Sequence, residues 1–377
     1  MKRALPYVLD YIKKADMFLL VLCLICSIYG IVLIWSSTRS FPGGGATPFL
    51  TVQIAALVLG LVCFVLFSII DVEVIAQRWK LLLIFNIALL VSLVFFGTGL
   101  QGGARIWLRF FGIGIQPSEL IKINFVVLMA YHIHYLKEYK KLNSLLSMAQ
   151  LVIHFGFTFL LIPDIGNGSI FLIIFLVMLF LSGLKLRWFL FGGGTLAALI
   201  PFVWRFLEEH QRNRIMAPFD PTLDPTNLDL MFQVHRSRIA IASGQITGQG
   251  LGQGVQTQSG FVPLQWTDFI FSVVGEEFGL IGAIVVIVLL LAVIIRCFQV
   301  AAGARNLLSG LVAAGVGTFM LFQTVINIGM SLGLMPVIGL PLPFFSYGGS
   351  SLVSTFIAMG LVCGVHMRAV PIWRRPL

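Results

Sequence analysis

The sequence predicts an all-α, multi-pass membrane protein with about ten transmembrane helices. Of its 377 residues, 58% are hydrophobic and only 11% are charged. Apolar stretches of about 20 residues, the length that crosses a bilayer, recur along the whole chain. The 25 Lys and Arg residues outnumber the 15 Asp and Glu residues and fall mainly between these stretches. This distribution is typical of topology signals rather than of a nucleic-acid-binding surface, and the hydrophobic composition excludes a soluble globule.

Ten spans follow from the apolar stretches, and we treat residues 1–377 as one integral membrane domain. The predicted spans are 17–36, 48–70, 81–98, 117–135, 145–162, 168–184, 188–206, 269–298, 307–333 and 350–367. With a cytoplasmic N-terminus, most Lys and Arg residues fall in inner segments, as the positive-inside rule requires. An even number of spans then places both termini in the cytoplasm. The longest loop, about 207–267, is therefore predicted to be extracytoplasmic, with an amphipathic helix at 231–242 lying on the membrane surface.

Asp268 lies where this loop meets the eighth predicted span. The glycine- and glutamine-rich end of the loop stops at this residue, and an apolar stretch begins directly after it. An ionisable residue at such a boundary is a functional candidate, while helix capping explains an aspartate there equally well. Glu276 and Glu277 lie deeper in the span, where a carboxylate is costly, and they are candidates for the same reason.

A second group of candidates surrounds the start of the fourth span. Glu119 and Lys122 are three residues apart, which places them on one helix face, and a lysine one turn inside a span needs an anionic partner. Glu119 alone would also suit the first turn of a helix. Arg105, Trp107 and Arg109 precede this helix on the outer side. They predict either an interfacial anchor or a site for a phosphate-bearing ligand, because arginine suits phosphate oxygens.

A third group lies in the sequence GLPLPFFSYGGSSL, before the tenth span. Its two prolines stiffen the chain, and Gly348 and Gly349, just after Ser346, allow close approach of the backbone. Irregular backbone beside a membrane helix is tolerated where it is buried in protein or lines a wet cavity. The helix N-terminus that follows could attract an anion. The five cysteines and six histidines show no spacing typical of a metal site.

Four separated motifs resemble those of a known family. In chain order they are GARIWL…IQPSELIK, LIPDIGNG, GLGQGVQTQSGFVPLQWTDFIFSVVGEEFG and NIGMSLGLMPVIGLPLPFFSYGGSSL. They resemble the SEDS proteins (shape, elongation, division, sporulation) over essentially the whole chain. The sequence of the last motif resembles RodA more than FtsW. Two features depart from the family pattern: Trp266 stands where a histidine is common, and the loop sequence HRSRIAIASGQITGQG is unusual.

The resemblance implies an activity, a location and a partner. It implies ten membrane helices in the bacterial cytoplasmic membrane and polymerisation of lipid II into glycan strands, for cell-wall elongation and shape, beside a class B penicillin-binding protein. It implies that Asp268 is the essential aspartate, supported by the acidic and basic pair Glu119 and Lys122.

The implied chemistry suits these residues. A sugar hydroxyl attacks an anomeric carbon that carries a lipid pyrophosphate, which requires a general base and cations for the leaving group. Asp268 is the candidate base, and Lys122, Arg105 or Arg109 are the candidate cations. A divalent cation, Mg²⁺ or Mn²⁺, could assist them, and no organic cofactor is expected. The alternatives are a flippase for lipid-linked precursors or another membrane carrier, which also uses embedded charges, and a scaffold without chemistry.

Overall fold

The computed structural model describes residues 5–41, 45–98, 106–110, 113–139, 142, 144–160, 165–206, 209–223 and 231–369. The helices of these residues are α1 (Leu5–Lys14), α2 (Met17–Thr38), α3 (Thr47–Ile69), α4 (Val72–Gln77), α5 (Trp79–Phe96), α6 (Pro117–Tyr139), α7 (Leu145–Leu160), α8 (Ile165–Leu181), α9 (Leu186–Phe206), α10 (Glu209–Met216), α11 (Phe232–Ser243), α12 (Val255–Gln258), α13 (Ile270–Gly303), α14 (Leu307–Ser331) and α15 (Gly349–Met367). Three short strands are β1 (Gly97–Thr98), β2 (Trp107–Phe110) and β3 (Ile113–Ile115), and Pro221–Leu223 forms a 3₁₀ turn.

Each of the ten predicted spans coincides with a helix, namely α2, α3, α5–α9 and α13–α15. Six of them, within the described ranges, are long and apolar enough to cross a membrane by length and composition alone: α2, α3, α5, α13, α14 and α15. The remaining helices are shorter or less apolar. The predicted fold class, a polytopic all-α membrane protein, is confirmed.

Helix α14 lies at the centre of the bundle and α5 at its edge. In the most apolar window of α14, 78% of the residues are buried, against 17% for α5. Helix α14 packs against α6, α8, α13 and α15, whereas α5 presents Val94, Phe95 and Phe96 at its surface. A helix with an exposed apolar surface faces lipid, and one that is buried all round forms the core. Helix α14 is therefore a core helix, and its side chains contact the four helices that surround it.

Helices α3 and α15 pack closely because each has a glycine that faces a phenylalanine of the other helix. A Cβ on Gly60 would lie 2.9 Å from Phe356 Cδ2, and a Cβ on Gly360 would lie 2.6 Å from Phe64 O. Lipid is as apolar as a side chain, so membrane helices associate through close van der Waals packing, which glycine permits.

Ion pairs tie the helix ends together at the end of the bundle that contains Arg305. Arg296 Nε lies 2.7 Å from Asp16 Oδ2, which joins α13 to the start of α2. Arg305 lies 2.8 Å from Asp71 and 2.6 Å from Glu73, which joins the α13–α14 connection to α4. Burial would raise the pKa of Asp71, but the Glu73 N–H and the Arg305 guanidinium hold this pKa below its ordinary value.

The second half of the long loop folds onto α13. Helix α11 is present where the sequence predicts a helix, and it buries Val234, Ser237 and Ala240 as it packs against α13 and α14. The sequence predicts the eighth span as one continuous helix. In the structure, α13 is interrupted at Gly279, where φ is 64° and ψ is −161°.

Loop backbone fills this interruption. The N–H of Gln249 donates to Glu276 O at 2.9 Å, and the N–H of Leu280 donates to Gln245 O at 2.9 Å. Because the loop supplies these hydrogen bonds, the helix can break at membrane depth without leaving polar groups unpaired.

We expect Gly279→Ala to lower the thermal unfolding midpoint of the purified protein by several degrees. The backbone here has a φ of 64°, which alanine rarely adopts, and a Cβ would lie 2.5 Å from Ile246 O; such strain and crowding cost about 1–3 kcal/mol. The control is Gly192→Ala in α9, where a Cβ meets no atom within 4 Å. Equal midpoints for the two variants would contradict this account of the break.

Candidate functional site

Asp268 is half-buried and directly precedes α13, at the end of the bundle opposite Arg305, which we call the Asp268 end. The N-cap position of α13 is Phe269, one residue later, so the capping explanation of Asp268 finds no support. A Cβ on Gly339, whose φ is 64°, would lie 3.5 Å from Asp268 Oδ2. Glycine therefore brings the backbone of the 339–347 segment close to this carboxylate.

The 339–347 segment bonds to successive carbonyls of the chain that leads into α13. Tyr347 N donates to Trp266 O at 2.8 Å, and Ser346 Oγ donates to Thr267 O at 2.6 Å. The next carbonyl, that of Asp268, accepts from a side chain of α14. The structure thus brings the predicted residue Ser346 next to Asp268, although 78 positions separate them in the sequence.

Gln53 of α3 holds the predicted glycine pair in place. Its Oε1 accepts from Gly348 N at 3.1 Å, and its Nε2 donates to Ser346 O at 3.4 Å. A Cβ on Gly349 would lie 3.4 Å from Val52 Cγ1, so that the start of α15 packs directly on α3. The side chain of Gln53 is fully buried, and a buried amide with both ends paired fixes its neighbours.

Glu119 and Lys122 form the predicted ion pair, and both are buried. Lys122 Nζ lies 2.7 Å from Glu119 Oε1 and donates a second hydrogen bond, of 3.0 Å, to Gln323 Oε1. Glu119 Oε2 also accepts from Ser351 Oγ of α15 at 3.3 Å. The pair therefore joins α6 to α14 and α15, just below the Asp268 end.

A small antiparallel sheet, absent from the predicted fold, carries Trp107 and Arg109. Strand β2 pairs with β1 and β3, and alternation along β2 puts Trp107 and Arg109 on one face with Leu108, which is buried, on the other. Arg109 is exposed. Strand β3 lies beside α15, and the Gln116 N–H that follows it donates to Ser350 Oγ at 3.2 Å. Arg105 lies outside the described residues.

Glu276 and Glu277 accept hydrogen bonds from other parts of the protein, Glu276 from the long loop and Glu277 from α2. Glu276 accepts from Gln256 N at 2.7 Å, from Thr257 N at 2.9 Å and from Thr257 Oγ1 at 2.5 Å. Glu277 accepts from Ser36 Oγ of α2 at 2.6 Å. These bonds fasten α12 and α2 to α13, and they account for two buried carboxylates without a substrate.

Trp266, which departs from the family pattern, belongs to an aromatic cluster at the Asp268 end. Its ring centroid lies 4.9 Å from that of Phe41 and 5.9 Å from that of Phe49, with edge-to-face geometry. Phe49 in turn lies 5.1 Å from Tyr347. Edge-to-face pairs are favourable beyond the apolar area that they bury, so Trp266 packs the chain before Asp268 against α3.

Three amides of this site were not predicted: Gln53, Gln323 and Asn327. Each stands within a predicted apolar span, where an amide has to find a hydrogen-bonding partner inside the protein. This requirement is a signal that the sequence contains, and the i, i+4 spacing of Gln323 and Asn327 strengthens it.

No group of three or more His, Cys, Asp and Glu side chains in the described ranges is close enough to hold a metal ion.

These features define a class of protein: a multi-pass helical membrane protein that gathers its predicted functional residues at one end, around a half-buried aspartate. A family model for FtsW, RodA and SpoVE, described as a cell cycle protein, matches residues 16–370. The chain belongs to this family, as the SEDS resemblance predicted.

Curated relatives match along nearly their whole length. A protein of Geobacter metallireducens named probable peptidoglycan glycosyltransferase FtsW is 34% identical over 375 residues, which cover 96% of each chain. The peptidoglycan glycosyltransferase MrdB of Escherichia coli K12 is 34% identical over 356 residues, which cover 93% of each chain. Since both relatives match equally well, the closer likeness to RodA stays a prediction.

Solved structures share the fold. A chain described under structural coordination of polymerization and crosslinking by a peptidoglycan synthase complex has a TM-score of 0.77 and 29% identity, with 93% of this chain and 97% of that chain covered. The rod shape determining protein RodA of Thermus thermophilus has a TM-score of 0.65 and 27% identity, with 93% and 96% covered.

We expect removal of one charge from the Glu119–Lys122 pair to destabilise the protein more than removal of both. Lys122→Met leaves a buried carboxylate without its cation, which costs about 3–5 kcal/mol in comparable pairs. The double variant Glu119→Gln with Lys122→Met leaves two neutral side chains of similar shape. Thermal unfolding in detergent measures both, and Lys137→Met, which removes a lysine from the other end of α6, is the control. A double variant less stable than Lys122→Met would refute the expectation.

Proposed function

We propose that this protein is a peptidoglycan glycosyltransferase that polymerises lipid II. The single observation that carries the proposal is the position of Asp268. This residue is half-buried at the end of the bundle opposite Arg305, and the 339–347 backbone lies against its carboxylate. Family membership and the names of the relatives support the same activity.

The reaction follows from the chemistry of the substrate. A hydroxyl of one sugar attacks the anomeric carbon of another, a new glycosidic C–O bond forms, and the bond from that carbon to the pyrophosphate oxygen breaks. Asp268 accepts the hydroxyl proton, and the lipid pyrophosphate leaves with its negative charge. A positioned general base of this kind contributes about 10²–10⁴ in rate.

The cations divide into buried and accessible groups. Lys122 is 1% exposed and paired with Glu119, which suits it to shaping the floor of the site. Arg109 is exposed on the sheet beside α15 and is suited to contacting the pyrophosphate, together with Arg105 and Trp107 of the same sequence motif. A divalent cation that arrives with the pyrophosphate would take its ligands mainly from phosphate oxygens and water.

The exposed apolar side chains and the distribution of positive charge fit a protein that is embedded in a bilayer. Exposed apolar side chains cover α5, α3 and the outer face of α13, where membrane lipid and the prenyl tail of the substrate would lie. In our proposal the Asp268 end faces outward and both termini are cytoplasmic in the bacterial membrane, because the distribution of Lys and Arg favours that orientation.

A carrier is the alternative, and the packing of α14 favours the enzyme. A carrier needs a site that opens to both faces of the membrane. Residues 311–320 of α14 are all buried, and ion pairs tie the helices at the Arg305 end. The predicted site residues that the structure describes lie at or near the Asp268 end instead. A solid centre with chemistry at one face supports catalysis at that face.

We expect Asp268→Asn to abolish detectable polymerisation of fluorescent lipid II by the purified protein while its unfolding midpoint is unchanged. The substitution is nearly isosteric and removes only the base, so a loss of about 10²–10⁴ in rate is expected. Asp220→Asn is the matched control, because Asp220 lies on the same long loop and, among the described residues, its carboxylate accepts hydrogen bonds from nearby Thr222. Polymerisation by Asp268→Asn at the wild-type rate would refute the assignment, and transport of lipid II across liposomes without linkage would favour the carrier.

The proposed partner is a class B penicillin-binding protein. One structural neighbour comes from a synthase complex described as coordinating polymerization and crosslinking, and crosslinking is transpeptidase chemistry. An apolar cavity of about 220 Å³ lies between α11, the break in α13 and the end of α14, lined by residues such as Ile284, Ile328 and Leu332. We propose this cavity as the docking site of the partner, because its size suits side chains of a single membrane helix packed alongside.

We expect Ile284→Trp to weaken co-purification of such a partner, because the indole would occupy the cavity beside α13. Ile284 is 50% exposed, so the substitution should leave folding intact. Val94→Trp on α5, at a position 69% exposed, adds the same bulk elsewhere on the lipid-facing surface. Equal recovery of the partner with both variants would show that the cavity is not the docking site.

A further inference from the structure

Two amide side chains of α14 lie between Lys122 and Asp268. Gln323 and Asn327 are one helical turn apart, and their exposed fractions are 2% and 0%. Gln323 Nε2 donates to Pro341 O at 2.8 Å, and Asn327 Nδ2 donates to Leu340 O at 2.7 Å. Both amides therefore hold the segment that lies against the Asp268 carboxylate. We call Gln323 and Asn327 the amide clamp.

The other bonds of the amide clamp reach both predicted constellations. Gln323 Oε1 accepts from Lys122 Nζ at 3.0 Å. Asn327 Nδ2 donates a second hydrogen bond, of 2.8 Å, to Asp268 O. A chain of hydrogen bonds thus runs from the buried ion pair through the 340–341 backbone to the backbone of the candidate base.

The neighbours of the clamp determine which way each amide points. A lysine ammonium only donates, so Gln323 has to present its oxygen to Lys122 and its NH₂ group to Pro341. Two carbonyl oxygens only accept, so Asn327 has to present its NH₂ group to both of them. A flipped amide at either position would place like groups against each other.

The asparagine at position 327 satisfies two buried backbone carbonyls but, within the described ranges, leaves its own oxygen unpaired. Its Oδ1 is buried and has no hydrogen-bonding partner among the described residues. A buried acceptor without a partner is unfavourable, but a leucine of similar size would leave the carbonyls of Asp268 and Leu340 without this donor. The unpaired oxygen is therefore tolerated where the NH₂ group holds two backbone positions, one of which is that of Asp268 itself.

We propose that the amide clamp is a positioning device for Asp268, an inference that rests on the proposed polymerase function. The clamp fixes the Asp268 backbone and holds the 339–341 backbone at one distance from its carboxylate. It also makes this arrangement depend on Lys122. Gln323 and Asn327 act through Asp268 and do not contact the substrate.

The test compares Asn327→Leu with a matched loss of another buried amide. Misplacement of a catalytic group by about 1 Å can cost about 10²-fold in rate, so kcat for lipid II polymerisation should fall by about that factor, while KM stays close to the wild-type value. The control is Asn86→Leu in α5, because Asn86 is 3% exposed and accepts an interhelical hydrogen bond of 2.9 Å from Asn124. This control should keep the wild-type kcat.

Gln323→Leu is the second variant, and it decides the question if Asn327→Leu does not fold. It cuts the connection to Lys122 and leaves both bonds of Asn327 in place. We expect a smaller fall in kcat than for Asn327→Leu, again with little change in KM.

Three results would overturn the inference, measured on Asn327→Leu or, if that variant does not fold, on Gln323→Leu. They are a kcat no lower than that of Asn86→Leu, a raised KM with unchanged kcat, and a fall in kcat accompanied by a larger loss of thermal stability than the control shows. Wild-type protein and Asp268→Asn, measured in parallel, separate the two proposals. A wild type that does not polymerise lipid II refutes the proposed function itself, whereas an active wild type, an inactive Asp268→Asn and an active Asn327→Leu refute only the role of the clamp.

Discussion

Polar backbone at membrane depth has to be bonded within the protein, and the arrangement of the Asp268 end depends on this constraint. The 339–347 segment is not helical, so it cannot satisfy its own N–H and C=O groups. Gln53 of α3 and the two amides of α14 take the place of the missing intrahelical bonds. The same bonds join the segment to the chain before α13, so that satisfying the backbone also fixes the position of Asp268.

Backbone strain is concentrated in the same region. The described residues include three non-glycine positions with positive φ, and two of them, Leu264 at 53° and Phe344 at 66°, lie in the segments on either side of the site. Such conformations cost about 1–3 kcal/mol each and persist only where the surroundings impose them. Gly30 of α2 helps to impose one of them, because its missing side chain leaves room for Phe344 O. Packing against the helices of the bundle therefore imposes this strained backbone conformation on the 339–347 segment.

The sequence predicts those features that depend on local composition. Apolar length predicts the ten helices, and the cost of charge in lipid points to Asp268 and to the Glu119–Lys122 pair. It does not predict the interruption at Gly279, because hydropathy is the same for a continuous and a broken helix, and the loop backbone that fills the break is distant in sequence. The cost of a carboxylate in lipid also made Glu276 and Glu277 candidates, although loop N–H groups satisfy Glu276 and a hydroxyl of α2 satisfies Glu277.

The burial of Lys122 determines how positive charge is shared in the site. Its ammonium is enclosed by Glu119 and Gln323, so the net field that it offers to a substrate is reduced by its own counter-ion. A leaving pyrophosphate carries its charge on oxygens that remain near the membrane surface, and it has to be met by cations that it can reach. Exposed Arg109 on the sheet beside α15 satisfies that condition, and a planar guanidinium binds phosphate oxygens in pairs. In our proposal, the buried cation therefore orders the base, and the exposed arginine contacts the leaving group.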